Sequence, residues 1–135
     1  MKVQRHKKLI RLATKKEWQE ARRSHEFTYT QRDQRDGRFH LSTVGLFLSH
    51  CWVIHRGRQD IYALEIPFER IGHNVFWRES DAVYPDGSHP LCPYLQSPLT
   101  TDCISEVKLL KPGFDGRFMI DTDFIRRKMI WETGA

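Results

Sequence analysis

His40 and Ser42 sit two residues apart in an extended run, and they are the pair whose types and spacing invite chemistry. An imidazole can donate, accept or carry a proton, and a hydroxyl can donate and accept. Side chains alternate faces along a strand, so His40 and Ser42 share one face and Leu41 takes the other. Other reactive groups are placed less usefully. His50, Cys51 and His55 lie close in sequence, but spacings of one and five do not bring all three to one helical face. Zinc requires closely paired ligands, so no metal is predicted. Cys51, Cys92 and Cys103 are an odd set with no Cys-x-x-Cys pair. That pattern argues against a disulfide framework and for a reducing compartment, with each cysteine acting as a small buried hydrophobe. The chain has neither a Gly-x-Gly-x-x-Gly loop nor a Walker loop, so no phosphate cradle of either kind is predicted.

Around that pair the chain reads as strand, helix, strand, helix and then mainly strands. Leu9 to Ala13 is a short apolar strand. Thr14 and Glu17 form a capping box, which opens a helix running to about Ser24 with Trp18 and Ala21 facing inward. Residues 25–36 read as polar and irregular, and Asp36-Gly37 as a turn. Arg38 to Ser42 follows as one brief strand. Thr43 then caps a second helix from Val44 to about Trp52. Asp60 to Ile66 is a strand, ended by Pro67, and Val75 to Arg78 is another. Residues 80–92 carry Pro85-Asp86-Gly87 and His89-Pro90 and read as a loop. Tyr94 to Gln96, Ile104 to Leu109 and Phe118 to Ile120 read as short strands, and Phe124 to Trp131 as a last helix. Strands clustered after early helices favour an α+β fold over a doubly wound sheet.

The 135 residues amount to one domain, with 39% hydrophobic and 29% charged residues, which fits a globular protein and excludes long disorder or collagen. No run approaches the roughly 20 apolar residues of a membrane span, so no membrane partner is predicted. The basic start MKVQRHKK is not followed by the apolar core of a secretion signal, and a cytoplasmic location is expected. The net charge of +5 is uneven: residues 1–25 hold nine Lys and Arg against two Glu, a balance of +7, which leaves −2 for the rest. Lys2, Arg5, Lys7 and Lys8, with Lys15 and Lys16 behind them, form a basic arm that could steer toward nucleic acid.

Several segments, in order, resemble the bacterial domain-of-unknown-function 952 family, whose fold is ADP-ribosyltransferase-like. They are the strand Leu9 to Leu12, then Thr14 with Glu17-Trp18, then Asp36-Gly37-Arg38-Phe39-His40-Leu41-Ser42 against a family pattern D-G-F-I-H-L-S. After these come the strand Ile61 to Ile66, then Phe76-Trp77, and last Pro93 to Leu99 against P-H-L-Y-x-P-L. The resemblance covers about residues 8–110. It divides the single domain 1–135 into a basic arm (1–8), a family-like core (9–110) and a C-terminal extension (111–135).

The resemblance implies split, bent β-sheets with two or three short helices and a cleft that holds NAD in related folds. It implies that His40 and Ser42 hold the nicotinamide ribose end, with Tyr62, Trp77 and Tyr94 as candidate rings against the nicotinamide. Cleavage of the nicotinamide–ribose bond passes through an oxocarbenium-like state that a nearby carboxylate stabilises. Here the chain departs from the family. A Trp-Glu pair is replaced by Trp77-Arg78-Glu79, so Glu79 reaches the family position only if the strand bulges. Tyr94 and Gln96 stand where the family has His and Tyr, and His89 is an alternative to the lost histidine. The predicted site is therefore His40 and Glu79 for catalysis, and His40, Ser42, Tyr62, Trp77, Tyr94 and Gln96 for NAD. Three functions follow: an NAD-dependent transferase or its degenerate, ligand-binding descendant; a nucleic-acid module built on the basic arm; and a non-catalytic protein-interaction domain that kept the fold.

Overall fold

A computed structural model describes residues 7–121. The chain is α+β, with a few short helices around two antiparallel sheets. Strand β1 (Lys8–Thr14) leads into α1 (Lys15–Ser24), then α2 (Gln31–Asp36), β2 (Phe39–His40), β3 (Ser42–Thr43) and α3 (Phe47–Ile54). Strand β4 (Ile61–Pro67) is followed by α4 (Phe68–Ile71), β5 (Val75–Glu79), β6 (Leu91–Leu95), β7 (Glu106–Pro112) and β8 (Phe118–Ile120). One sheet runs in the order β3-β1-β4-β7-β8, the other β2-β6-β5.

The long central strands are buried on both faces, which explains their near-continuous apolar sequence. Along β1 and β4, Leu9, Ala13, Leu64 and Ile66 join one core cluster, together with Phe39, Leu41 and Leu95 from the second sheet's side. The opposite face of the same sheet supplies Ile10, Ile61 and Ala63, packed with Phe47 and Cys51 of α3 and with Leu110 and Phe118. Glu65 also lies in this sheet, 5% exposed, with Lys8 and Lys108 each 2.6 Å from its carboxylate. Burial pushes its pKa up, but the hydrogen bonds and charges of Lys108 and Lys8 outweigh that and hold it below the ordinary value.

The first helix matches its expectation to the residue. Glu17 N donates to Thr14 Oγ1 at 3.1 Å and Thr14 N donates to Glu17 Oε1 at 2.7 Å, closing the capping box. Four other expectations are corrected. Residues 25–36 are not wholly irregular. Thr30 and Asp33 make a second capping box that opens α2, and Gly37, at φ 66°, closes it in a left-handed conformation a side chain would strain. The predicted strand Arg38 to Ser42 is split at Leu41. His40 pairs with Tyr94 in one sheet and Ser42 pairs with Ile10 in the other. Thr43 pairs with Leu9 and so caps no helix; α3 starts at Phe47, after Leu46, with no side-chain cap. Finally, β6 begins at Leu91 and stops at Leu95, leaving Gln96 outside it. The predicted helix Phe124 to Trp131 lies outside the described residues.

Candidate functional site

Arg11 is the one charged side chain in the middle of β1, and it is 4% exposed. A buried guanidinium needs a partner, and α2 delivers it. Arg11 donates to both oxygens of Asp33, at 3.0 and 2.7 Å, and to the carbonyl of His40 at 2.9 Å. Asp33 also accepts the backbone N–H of His40 at 2.9 Å and of Thr30 at 2.9 Å. Burial pushes the Asp33 pKa up, and the hydrogen bonds of His40 and Arg11 drive it the other way, to well below the carboxylate range.

His40 is clamped between two carboxylates of the same helix. It donates from Nδ1 to Asp33 at 3.0 Å and from Nε2 to Asp36 at 2.7 Å. Carboxylates only accept, so both ring nitrogens act as donors here and neither is left for a ribose hydroxyl. Asp36 continues the chain outward to Arg78, 3.0 Å away. Burial raises its pKa, while the hydrogen bonds of Arg78 and His40 win and lower it. Arg78 also lies 4.9 Å over the ring of Tyr94, whose edge meets the His40 ring at 4.9 Å. Charges thus alternate from the buried Arg11 to the surface at Arg78.

On the other side of Leu41 the arrangement is different. Ser42 Oγ is hydrogen-bonded to His50 Nδ1, and Arg32 Nη1 donates to His50 Nε2 at 2.9 Å. A guanidinium has no acceptor, so His50 Nε2 must be unprotonated and the ring's proton sits on Nδ1, donated to Ser42. Burial, reinforced by the charge of Arg32, depresses the His50 pKa to about 3. His50 therefore cannot act as the base that takes a proton from Ser42. Burial lowers the pKa of nearby His55 as well.

These groups share one cavity of about 330 Å³, with Arg11, Arg32, His40, Ser42, His50 and His55 on its wall. The volume falls at the low end for small-molecule sites. Two residues of that wall carry donors that are incompletely used. Arg11 Nε is buried with no hydrogen-bond partner, and Arg32 forms no ion pair among the described residues. Asp33 is already committed through both oxygens, chiefly to Arg11 and His40, while Glu17 gives one oxygen to the Thr14 N–H as part of the cap of α1.

His40 and Ser42 thus meet at one cavity, and Tyr94 is buried beside His40. The other predicted residues lie elsewhere. Glu79 is exposed at the end of β5, in a shallow groove with Arg78, Asp81 and His89. Trp77 is 37% exposed on the same strand. Tyr62 packs half-buried on the first core cluster, and Gln96 is exposed, its N–H donated to the Asn74 carbonyl at 3.0 Å. Of the basic arm, Lys7 is exposed and Lys8 is tied to Glu65, while Lys2 and Arg5 lie outside the described residues. Among the described residues no group of three or more His, Cys, Asp and Glu side chains is placed to hold a metal ion. Burial pushes the Cys51 thiol up to about 12. No helix among them is long and apolar enough to cross a membrane.

Sequence reasoning missed Arg11, Arg32 and Asp33, and weighed His50 only as a metal ligand beside Cys51 and His55. Two signals were there to be read: a lone arginine inside an apolar strand, which demands a buried counter-charge, and the Thr30-x-x-Asp33 cap.

No curated protein matches the chain. Its architecture is similar to solved structures of protein CC0527 from Caulobacter crescentus. The crystal structure aligns with a TM-score of 0.71 at 22% identity, covering 83% of this chain and 93% of that one. The solution NMR structure aligns with a TM-score of 0.67 at 22% identity, over 82% and 90%. At that identity the likeness shows the fold. The model of the family described as a protein of unknown function, DUF952, matches residues 12–107, and the chain belongs to that family.

Proposed function

We propose that this is an ADP-ribosyltransferase-like domain that binds NAD or an ADP-ribose-like nucleotide in the cleft at His40 and Ser42, as a receptor rather than as a transferase. The observation that carries this reading is the cavity wall itself. It places His40 and Ser42 together and adds two guanidinium groups whose hydrogen-bonding capacity is not used up. Anionic phosphates are the ligands that such donors hold best. Two sheets that meet at Leu41, with the cleft at their junction, agree with the split, bent arrangement of the proposed fold. Ser42 has its own O–H to give, since its oxygen accepts from His50. His40 contributes by fixing Asp33 and Asp36 rather than by bonding the ribose.

Binding is favoured over turnover because the carboxylate that would face an oxocarbenium-like ribose is not on this wall. Glu79 sits in a separate groove, and Asp33 and Glu17 are engaged. The test is calorimetric titration of NAD and ADP-ribose into the full chain, paired with thermal unfolding and an assay for nicotinamide release. Saturable binding is expected, with a rise in melting temperature and no release. Ligand at a hundred times its Kd would add about 2.7 kcal/mol of stability. The absence of both binding heat and a thermal shift at millimolar ligand overturns the reading, and nicotinamide release overturns its receptor part.

A further inference from the structure

We propose that Arg32, Arg11 Nε and the Ser42 hydroxyl form a phosphoryl-group receptor within this cavity, in which His50 keeps Ser42 a hydrogen-bond donor. The inference rests on the nucleotide-binding reading for its location, but its chemistry is narrower and stands on different groups. Arg11 is 4% exposed, and its two Nη atoms are spent on Asp33 and the His40 carbonyl while Nε is not spent. A buried unpaired N–H carries a desolvation cost that a ligand acceptor removes. Arg32 presents a full positive charge, but the partner that it has is a neutral imidazole nitrogen. An imidazole nitrogen leaves that charge uncompensated, whereas an oxyanion neutralises it.

The orientation of Ser42 follows from the same chain of bonds. Arg32 donates to His50 Nε2, His50 donates from Nδ1 to Ser42 Oγ, and the hydroxyl proton is then directed elsewhere. A serine that accepts from its histidine is the reverse of an activated nucleophile, whose proton passes to the histidine. Arg32, His50 and Ser42 are therefore arranged to hand one O–H donor to a ligand oxygen. A phosphoryl group supplies acceptors for all three donors. Its source is either a phosphomonoester or the diphosphate of a nucleotide, and the recognising chemistry is common to both.

The experiment follows the arginine side-chain Nε–H and backbone amide resonances of the full chain while inorganic phosphate, ribose 5-phosphate and NAD are added separately. The Arg11 and Arg32 Nε–H signals should move on addition of inorganic phosphate and of ribose 5-phosphate, in a saturable manner. Arg32→Gln, which keeps a hydrogen bond to His50 within reach, should weaken phosphate binding roughly tenfold or more, and Ser42→Ala should weaken it severalfold. Backbone spectra confirm that each variant folds. A serine-reactive fluorophosphonate should leave Ser42 unmodified by mass spectrometry.

Arg11 and Arg32 signals that stay fixed at millimolar phosphate and ribose 5-phosphate overturn the receptor, and a covalent adduct on Ser42 overturns its donor role. Phosphate binding without NAD binding would retain this inference and remove the nucleotide reading. NAD binding that leaves both arginine signals unmoved would do the opposite.

Discussion

Two polar clusters meet at Leu41, and they differ in how completely their charges are paired. On one side Arg11, Asp33, His40, Asp36 and Arg78 form a closed series in which every carboxylate faces a cation and both His40 nitrogens are bonded. On the other, Arg32, His50 and Ser42 pass hydrogen bonds in one direction and end in donors without enough acceptors. A buried network whose charges are all paired fixes structure, even with Arg11 Nε left over, and one whose cation lacks an oxyanion is a place for a ligand. The contrast assigns the two clusters different work, although they share a cavity wall and helix α2.

The largest effect should come from breaking the closed cluster. Asp33→Asn leaves Arg11 buried without its counter-charge and weakens the cap of α2, and it is expected to cost about 3–5 kcal/mol in urea unfolding. A loss under about 1 kcal/mol would mean that the pair contributes no more than an exposed one.

The second prediction separates the clusters by pH. His50 is neutral in the fold, with a pKa near 3, and takes up a proton on unfolding at its ordinary value of about 6.5. The unfolded chain therefore binds more protons between those values. Its contribution is fully present above pH ~6.5 and declines as the pH falls toward 3, by at most about 1.4 kcal/mol per pH unit. Asp33 and Asp36 behave differently. Their pKa values are lowered in the fold, so their contribution is present above the ordinary carboxylate pKa of ~3.9 and is lost below it. A stability–pH curve should thus begin to fall near pH 6.5 and steepen below 4, and His50→Gln should reduce the slope of the upper part alone, leaving there the share of His55, whose pKa burial also lowers. An unchanged slope above pH 4 in that variant would remove His50 as its source.

The smallest expected effect is on the stability of Arg32→Gln. With no ion pair among the described residues to break, the change should stay within about 0.5 kcal/mol, even though the variant is expected to bind phosphate more weakly. A large destabilisation would place Arg32 with the closed cluster instead.

The two clusters were also unequally legible in the sequence. The capping box at Thr14 and Glu17 was readable because an amphipathic helix followed it, with Trp18 and Ala21 inward. The same four-residue device at Thr30 and Asp33 was passed over because α2 is six polar residues with no apolar stripe to announce a helix. Asp33 does two jobs, cap and counter-ion, and only the fold reveals the second. The shared cavity of His40 and Ser42 was anticipated from alternation, but by a different route from the one the chain takes. Period-two spacing looks the same whether a strand continues or changes sheets, and only pairing with Tyr94 on one side and Ile10 on the other distinguishes them. Glu79 and Trp77 could be put on a strand from their residue types. That the strand lies at the edge of the smaller sheet, away from the cavity, depends on contacts distant in sequence.

Leu41 is 1% exposed, bonded through its N–H to the Pro93 carbonyl at 3.0 Å, and it is the single residue between the two sheets at this point. Helix α2 spans the same junction, carrying Arg32 toward His50 and Asp33 toward His40. A molecule gripping Ser42 in one sheet and Arg32 on α2, which Asp33 ties to His40 in the other, would work as a cross-brace, so its arrival should register as slower amide exchange in strands of both sheets, well beyond the groups it touches.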